Sequence, residues 1–422
     1  MGLKILLVNP NKFQNPPVIP IGLEYIVTAL KKHNHTVQIL DLCFSDTPKI
    51  DLDKILNKKS FDLVGFTIRN IDSAMYFNNQ FFLTNFKPLI KCVKAQDIPI
   101  VLGGSGFSAM PNEILNYLKA DYGILGPGEI IFPKFLELWQ SNNLTQKLFD
   151  GWATGVDKEL VSLRGGKVEY PQYLKGEGIV GFQTHVGCNN QCPYCIEANT
   201  QVYYKNISNI IEELAHLVNQ GYKHFHTCDT EFNTNLQFSI DFCLALIKRN
   251  LGLKWALYMK PTPYSEDLFE ILRESEAYLI TLSVDSDERI QKSNKYSYDD
   301  LTQIMNYCQK YDIKLAIDLF IGYPNEPLKS VKKMIDFLKV NRPYTVGISF
   351  NYRVYNHTPL ASLIKEDPSF QKKLNKPYTA NENFLAPIFY RQLSQEAIKE
   401  LFEDDDLFKI AGITPGVNYQ QI

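Results

Sequence analysis

Short, almost wholly apolar runs alternate along this chain with longer stretches whose apolar residues recur every three or four positions. The short runs predict strands covered on both faces, and the longer stretches predict helices lying against them. Lys4–Val8 is such a strand, and Gly22–His33 has helical spacing. Val37–Asp41, Leu63–Thr67, Ile98–Gly104 and Asp121–Leu125 continue the strand series. Strands separated by helices predict a parallel, doubly wound α/β sheet over residues 1–140. Ligands on such a sheet sit at the carboxyl ends of the strands, here Asn9–Asn11, Thr67–Asn70, Gly103–Gly106 and Gly126–Glu129.

The pattern lapses between residues 141 and 178 into polar, glycine-containing sequence, which predicts a linker. A second alternating run follows over 179–365. Its strands are Ile179–Val186, His224–Asp229, Lys254–Met259, Leu279–Val284, Ile313–Ile321 and Val346–Val354, with a helix at Ile207–Asn219. Residues 366–422 read as a mostly helical tail.

Composition narrows the class. A chain of 422 residues that is 45% hydrophobic and 13% aromatic buries a substantial core and is not of a disordered type. A net charge of −2 gives no general attraction to nucleic acid or anionic membrane. No signal peptide precedes Asn9-Pro10, and no apolar run is long enough for a membrane span. Eight cysteines, three of them clustered, fit a reducing cytoplasm.

The clustered three decide the chemistry. They stand as Cys188-x-x-x-Cys192-x-x-Cys195 on one short segment. Three thiolates there suit three irons of a [4Fe–4S] cluster and leave the fourth iron open to a small molecule, whereas electron-transfer clusters use four cysteines. A structural zinc site wants a second ligand pair, and none follows at zinc spacing. A tight odd triplet is a poor disulfide framework.

This loop resembles the signature of the radical S-adenosylmethionine (radical SAM) enzymes. The resemblance implies an open (β/α)6 barrel, an open iron that binds the methionyl end of SAM, and an aromatic Tyr194 near the adenine. It implies acceptors for the SAM ammonium at the end of the second barrel strand, Glu231 or Asp229, one of them merely a helix cap. Ser283 and Asp285 fall where the family contacts ribose or carboxylate, with Lys295 completing the carboxylate contact. Gly322, in Phe320-Ile321-Gly322-Tyr323-Pro324, resembles the strand-five motif that packs the adenine, and Arg353 lies in the strand-six end of the cobalamin-linked subgroup.

Pro20-Ile21-Gly22, Gly103-Gly104 and Gly126-Pro127-Gly128-Glu129 resemble the Rossmann-like cobalamin-binding domain that precedes many radical SAM barrels. The resemblance implies corrin contacts from Asn9, Thr67, Arg69, Asn70, Gly103, Gly104, Ser105, Gly126, Gly128 and Glu129. The Asp-x-His-x-x-Gly motif that gives cobalt a histidine is absent, and His33 and His35 read as surface residues. Arg69 has no lone pair for cobalt and would discourage a water ligand, or else pairs with Asp72 or a cobalamin amide.

Together these features imply a cobalamin-dependent radical SAM methyltransferase acting on an unactivated carbon or a phosphinate. Its steps would run through a 5′-deoxyadenosyl radical and methylcobalamin. Its partners would be a small-molecule or peptide substrate and an external one-electron reductant of flavodoxin or ferredoxin type. Three alternatives stay open: a cyclisation or ring rearrangement on the same cofactors, a tRNA methylthiotransferase, and a non-catalytic cobalamin or Fe–S sensor. The second is disfavoured by having only Cys43 and Cys92 before residue 180 and an acidic run at Glu403–Asp406.

Overall fold

The structure is a computed structural model that describes residues 2–375, 383–402, 405–411 and 414. It divides into two units, residues 1–73, 80–181 and 203–221 in the first and 74–79, 182–202 and 222–422 in the second.

The first unit is built on a six-stranded sheet: β1 Lys4–Asn9, β2 Thr36–Asp41, β3 Leu63–Thr67, β4 Ile100–Gly103, β5 Tyr122–Leu125 and β6 Leu148–Asp150. Every pairing is parallel, and the order is β2-β1-β3-β4-β5-β6. The order reverses direction between β1 and β3, the switch point at which α/β sheets bind ligands. Ile5, Leu7, Leu63 and Val101 pack there with Leu23, Val27 and Leu30 of the helix Ile21–Lys32. Glu24 in that helix's first turn and Lys31 and Lys32 in its last complement the helix dipole.

The expected linker is folded. Residues 141–178 supply β6 and the helix Tyr170–Lys175, and bury Phe149, Val156, Tyr170 and Tyr173. A few apolar residues spaced among glycines carry no periodicity, yet each finds a hydrophobic partner once the sheet exists.

A second sheet has the strands β7 Val180–Phe182, of which Phe182 belongs to the second unit, then β8 His224–Thr227, β9 Lys254–Met259, β10 Ala277–Asp285, β11 Lys314–Phe320, β12 Thr345–Ser349 and β13 Phe408–Ile410 of that unit. They stand in the order β13-β12-β11-β10-β9-β8-β7, with β8 to β13 parallel. Trp255, Phe225, Phe232 and Phe242 form an aromatic core, with Phe232 and Trp255 ring centroids 5.2 Å apart. The expected strand 346–354 breaks after Ser349. Its end, Tyr352–Arg353, joins a small antiparallel sheet with Leu374–Asn375 and Phe389–Tyr390.

The tail is also not mostly helical. It holds those two short strands, the helices Pro368–Gln371 and Gln395–Phe402, and β13, which extends the large sheet beside β12. Residues 376–382, 403–404 (Glu403 and Asp404), 412–413 and 415–422 lie outside the described residues. Among the described residues no helix is long and apolar enough to cross a membrane.

A fully buried arginine holds the folded segment in the first unit. Arg164 Nε lies 2.7 Å from Glu213 Oε1, and Nη1 lies 2.8 Å from the Tyr170 hydroxyl and 3.6 Å from Glu24 Oε2. Removing the guanidinium strands two buried carboxylates. Arg164→Met should therefore cost about 3–5 kcal/mol, read as a fall in the urea midpoint of the unfolding transition. A midpoint equal to the parent's would show that Glu24 and Glu213 find other partners.

Candidate active site

The cysteine loop follows β7 and is pinned by backbone contacts. Gly187 has φ +90°, and a Cβ there would meet the Gln201 carbonyl at 2.1 Å, so only glycine fits before the first cysteine. Cys188 N–H donates to Thr200 Oγ1 at 2.9 Å and Thr200 N–H to the Cys188 carbonyl at 2.9 Å. The Asn190 N–H donates to the Cys188 sulfur, and the Glu197 and Ala198 N–H groups to that of Cys195. Asn294 Nδ2 lies 3.5 Å from Cys192 Sγ.

Burial pushes all three thiols up, Cys195 to about 12, and for Cys192 the charges of Asp285, Cys195, Glu231 and Cys188 add to it. Among the described residues no group of three His, Cys, Asp or Glu side chains is arranged to hold a single ion. Amide donors aimed at the sulfurs suit thiolates held by an iron–sulfur cluster, whose charge such hydrogen bonds stabilise.

The two carboxylates after β8 have different fates. Asp229 accepts from Thr184 N–H at 2.7 Å, Thr184 Oγ1 at 2.7 Å and His185 N–H at 3.2 Å. It clamps the turn after β7 and is committed to structure. Glu231 is buried, accepts from Ser283, and leaves Oε2 without a partner. Burial pushes its carboxyl up to about 8, against the pull of Ser283 and Lys260.

Lys295 has an exposed side chain. The lysine beside the cysteines is Lys260, which directly follows β9, is 8% exposed and lies 2.5 Å from Asn189 Oδ1. Burial lowers its pKa while Cys188, Glu231 and Cys192 raise it. Lys260, Cys192, Ser283, Asp285 and Tyr296 line one pocket. Tyr194 donates to Asp285 at 2.8 Å and stacks on Phe320 with centroids 4.9 Å apart. Burial pushes Asp285 up to about 7, opposed by the Tyr194 hydrogen bond.

Gly322 N–H donates to Glu326 at 2.6 Å, so Glu326 shapes the turn that carries Gly322. The Arg353 guanidinium donates to the carbonyls of Val354, Phe384 and Leu385.

In the first unit Asn9, Thr67 and Gly103 are the last residues of β1, β3 and β4, and Gly126 follows β5. Asn9 is spent on Asp41, at 2.8 Å, tying two strand ends together. Gly104 has φ +102° and a Cβ there would meet the Ile68 carbonyl at 2.7 Å. The Ser105 hydroxyl donates to the Arg69 carbonyl at 3.0 Å and Arg69 Nη1 to Asn70 at 2.8 Å. Gly126 N–H donates to Ser108 at 2.8 Å, and Gly128 accepts the first hydrogen bond of the helix that follows. Glu129 is buried with Oε2 unpartnered. Bare backbone at adjacent strand ends beside a free buried acceptor fits a flat, amide-rich ligand. His35, expected at the surface, is buried and accepts from Leu3 N–H at 3.1 Å.

Sequence reading missed Lys260 and Asp318. The signal for Asp318 was a lone carboxylate inside the apolar strand Lys-Leu-Ala-Ile-Asp-Leu-Phe.

Residues 182–338 match the radical SAM superfamily and residues 15–136 the B12 binding domain. A tryptophan 2-C-methyltransferase of Streptomyces laurentii is 22% identical over 93% of this chain and 79% of its own length. A tRNA-2-methylthio-N(6)-dimethylallyladenosine synthase of Clostridium novyi is 28% identical, over 47% of this chain and 48% of its own. The fold superposes with TM-score 0.88 on the radical SAM methyltransferase TsrM of Kitasatospora setae, solved with cobalamin and a [4Fe–4S] cluster. That pair is 23% identical over 99% of this chain and 94% of the other.

The Asp318 carboxyl is pushed up to about 6 by burial alone. The folded state then holds a proton that the unfolded chain has released, so stability falls as pH rises from about 4 to about 6. Asp318→Asn should raise stability at pH 8 by about 1–2 kcal/mol and change little at pH 4. Urea unfolding at the two pH values measures this, and a variant weaker at pH 8 would mean that the carboxylate has a structural partner.

Proposed function

We propose that this chain, in which a B12 binding domain is followed by a radical SAM domain, is a cobalamin-dependent methyltransferase acting on a carbon of a small molecule. The observation that carries the reading is the three-cysteine loop with amide donors to its sulfurs, set beside the unpartnered buried oxygen of Glu231. When bound, the cluster supplies the electron that opens SAM, and cobalamin carries the methyl group.

The chain's own residues do the rest. Cys188, Cys192 and Cys195 hold three irons and leave the fourth for SAM. Glu231 accepts from the SAM ammonium, a pure donor when charged. Lys260, held by Asn189, offsets the negative charge of Glu231 and the thiolates. Tyr194, fixed by Asp285 and Phe320, gives the adenine a rigid aromatic wall. At the strand ends of the first sheet, Gly103, Gly104, Gly126 and Gly128 admit the corrin, and Glu129 is a free acceptor for its amides. Arg69 cannot ligate cobalt. An external one-electron reductant of flavodoxin or ferredoxin type completes the set.

Likeness along nearly the whole chain to an enzyme named for methylating tryptophan supports carbon methylation of a small molecule. The methylthiotransferases match only about half of it. Anaerobic reconstitution with SAM, reductant and cobalamin, followed by mass spectrometry, tests the reading. S-adenosylhomocysteine formed with 5′-deoxyadenosine supports it; 5′-deoxyadenosine alone moves the assignment to a cyclisation or ring rearrangement.

Alanine at any of Cys188, Cys192 or Cys195 should abolish the cluster and all SAM cleavage, since a three-ligand site has no spare thiolate. An intact [4Fe–4S] spectrum with normal cleavage in any of the three would defeat the assignment. Glu231→Ala should keep its iron while SAM binding weakens by about 1.5–3 kcal/mol, measured by equilibrium dialysis. SAM affinity equal to the parent's would remove Glu231 from the ammonium site.

A further inference from the structure

One face of the second sheet carries a run of acceptor side chains, of which Ser283 already bonds to Glu231. Parallel register sets Tyr258, Thr281, Ala316 and Thr345 in one row and Ser283, Asp318 and Gly347 in the next. The face is inward: Ala316 packs with Ala256 and Leu279, and Phe320, two residues beyond Asp318, stacks on Tyr194 of the cysteine loop. Leu315, Ile317 and Leu319, on the other face, are wholly buried in the core.

Of the polar groups in these rows, Ser283 bonds to Glu231, whereas the Thr281 and Thr345 hydroxyls find no partner among the described residues. Thr281 is 1% exposed and Thr345 6%. Ala316 stands between them in register and Gly347 beside Asp318, so no large side chain fills the space. Asp318 makes no hydrogen bond or ion pair to a described residue, and the only neighbour it couples to is another carboxylate, Glu231, whose pKa it raises. A buried hydroxyl left unbonded costs about 1–3 kcal/mol, and a carboxylate withdrawn from water without a partner costs more; Asp318 itself is partly exposed. Such groups persist where a ligand completes them.

The missing ligand group follows from chemistry. An ionised carboxylate only accepts, and a hydroxyl can turn its lone pairs toward a donor. Their common complement is a positively charged group made wholly of donors. We infer that Asp318, with the hydroxyls of Thr281 and Thr345, forms a subsite for a protonated amino group of the substrate. The inference rests on the radical SAM reading of this barrel and names a substrate class for it, a primary amine. It also separates two cations, since Glu231 takes the ammonium of SAM and Asp318 that of the substrate.

The test compares phenethylamine with its neutral isostere 2-phenylethanol on the reconstituted full-length protein, by ligand-observed NMR. The amine should bind about tenfold or more tighter than the alcohol, the worth of a hydrogen bond to a charged group. Asp318→Asn should erase that preference while iron content and cluster absorbance stay parental. Thr281→Val should reduce it, and serves should Asp318→Asn fail to fold. Equal binding of the two probes, a preference that survives Asp318→Asn, or displacement of the amine by saturating SAM overturns the subsite. A protein that holds its cluster and cleaves SAM yet shows no preference loses the subsite and keeps the proposed function. One that never assembles the cluster loses both.

Discussion

Taking charge out of water is costly, and the way each buried charge is met separates framework from site in this structure. Desolvation of an ion costs several kcal/mol unless a partner meets it. Arg164 is met by Glu213, Glu24 and Tyr170, Asp229 by the Thr184–His185 turn, Glu326 by Ser286 and the Gly322 and Tyr323 amides, and Arg353 by three carbonyls. These residues hold segments together. Glu231 carries the same cost with a buried oxygen left free, Asp318 is partly exposed and meets no partner among the described residues, and Glu129 again leaves a buried oxygen free. They stand beside the cysteine loop, in the barrel interior and at a strand end, where ligands enter α/β sheets.

Protonation follows the same division. Burial raises the carboxyls of Glu231, Asp285 and Asp318 and the three cysteine thiols. Without ligands, the barrel mouth therefore favours neutral groups. Iron on the sulfurs and a cation at each carboxylate would reverse that preference, so assembly of the site releases protons. Lys260 is the counterpart: burial lowers its pKa, and each negative charge gained nearby strengthens its hold on a proton.

Parallel sheets explain why so many of these residues come from strand ends. Both faces of such a sheet are covered, so the carboxyl edge is the open ground for polar chemistry. Asn9, Thr67, Gly103 and Gly126 reach that edge in the first unit, and Lys260, Asp285 and Phe320 in the second. Phe320 shows the economy of the arrangement, since one strand-end ring braces Tyr194 and marks the inward face on which Asp318 stands.

What the sequence determined by itself was local. Apolar runs placed most strands within a residue or two, because a strand buried on both faces must be apolar along its length. The Cys188–Cys195 spacing named the cluster, because three ligands on one loop need no knowledge of the rest of the chain. Apolar spacing did not reveal β6 or β13, whose few apolar residues acquire meaning only against a finished sheet. Nor did it separate Glu231 from Asp229, alike in type and two residues apart, and sequence reading named Lys295 while passing over Lys260. Tertiary structure decided those, since whether a charge is clamped, free or exposed depends on groups brought from distant positions: Thr184 closes on Asp229 across 45 residues and Lys260 on Asn189 across 71. Ligand spacing lies along the chain, and desolvation is a property of the fold.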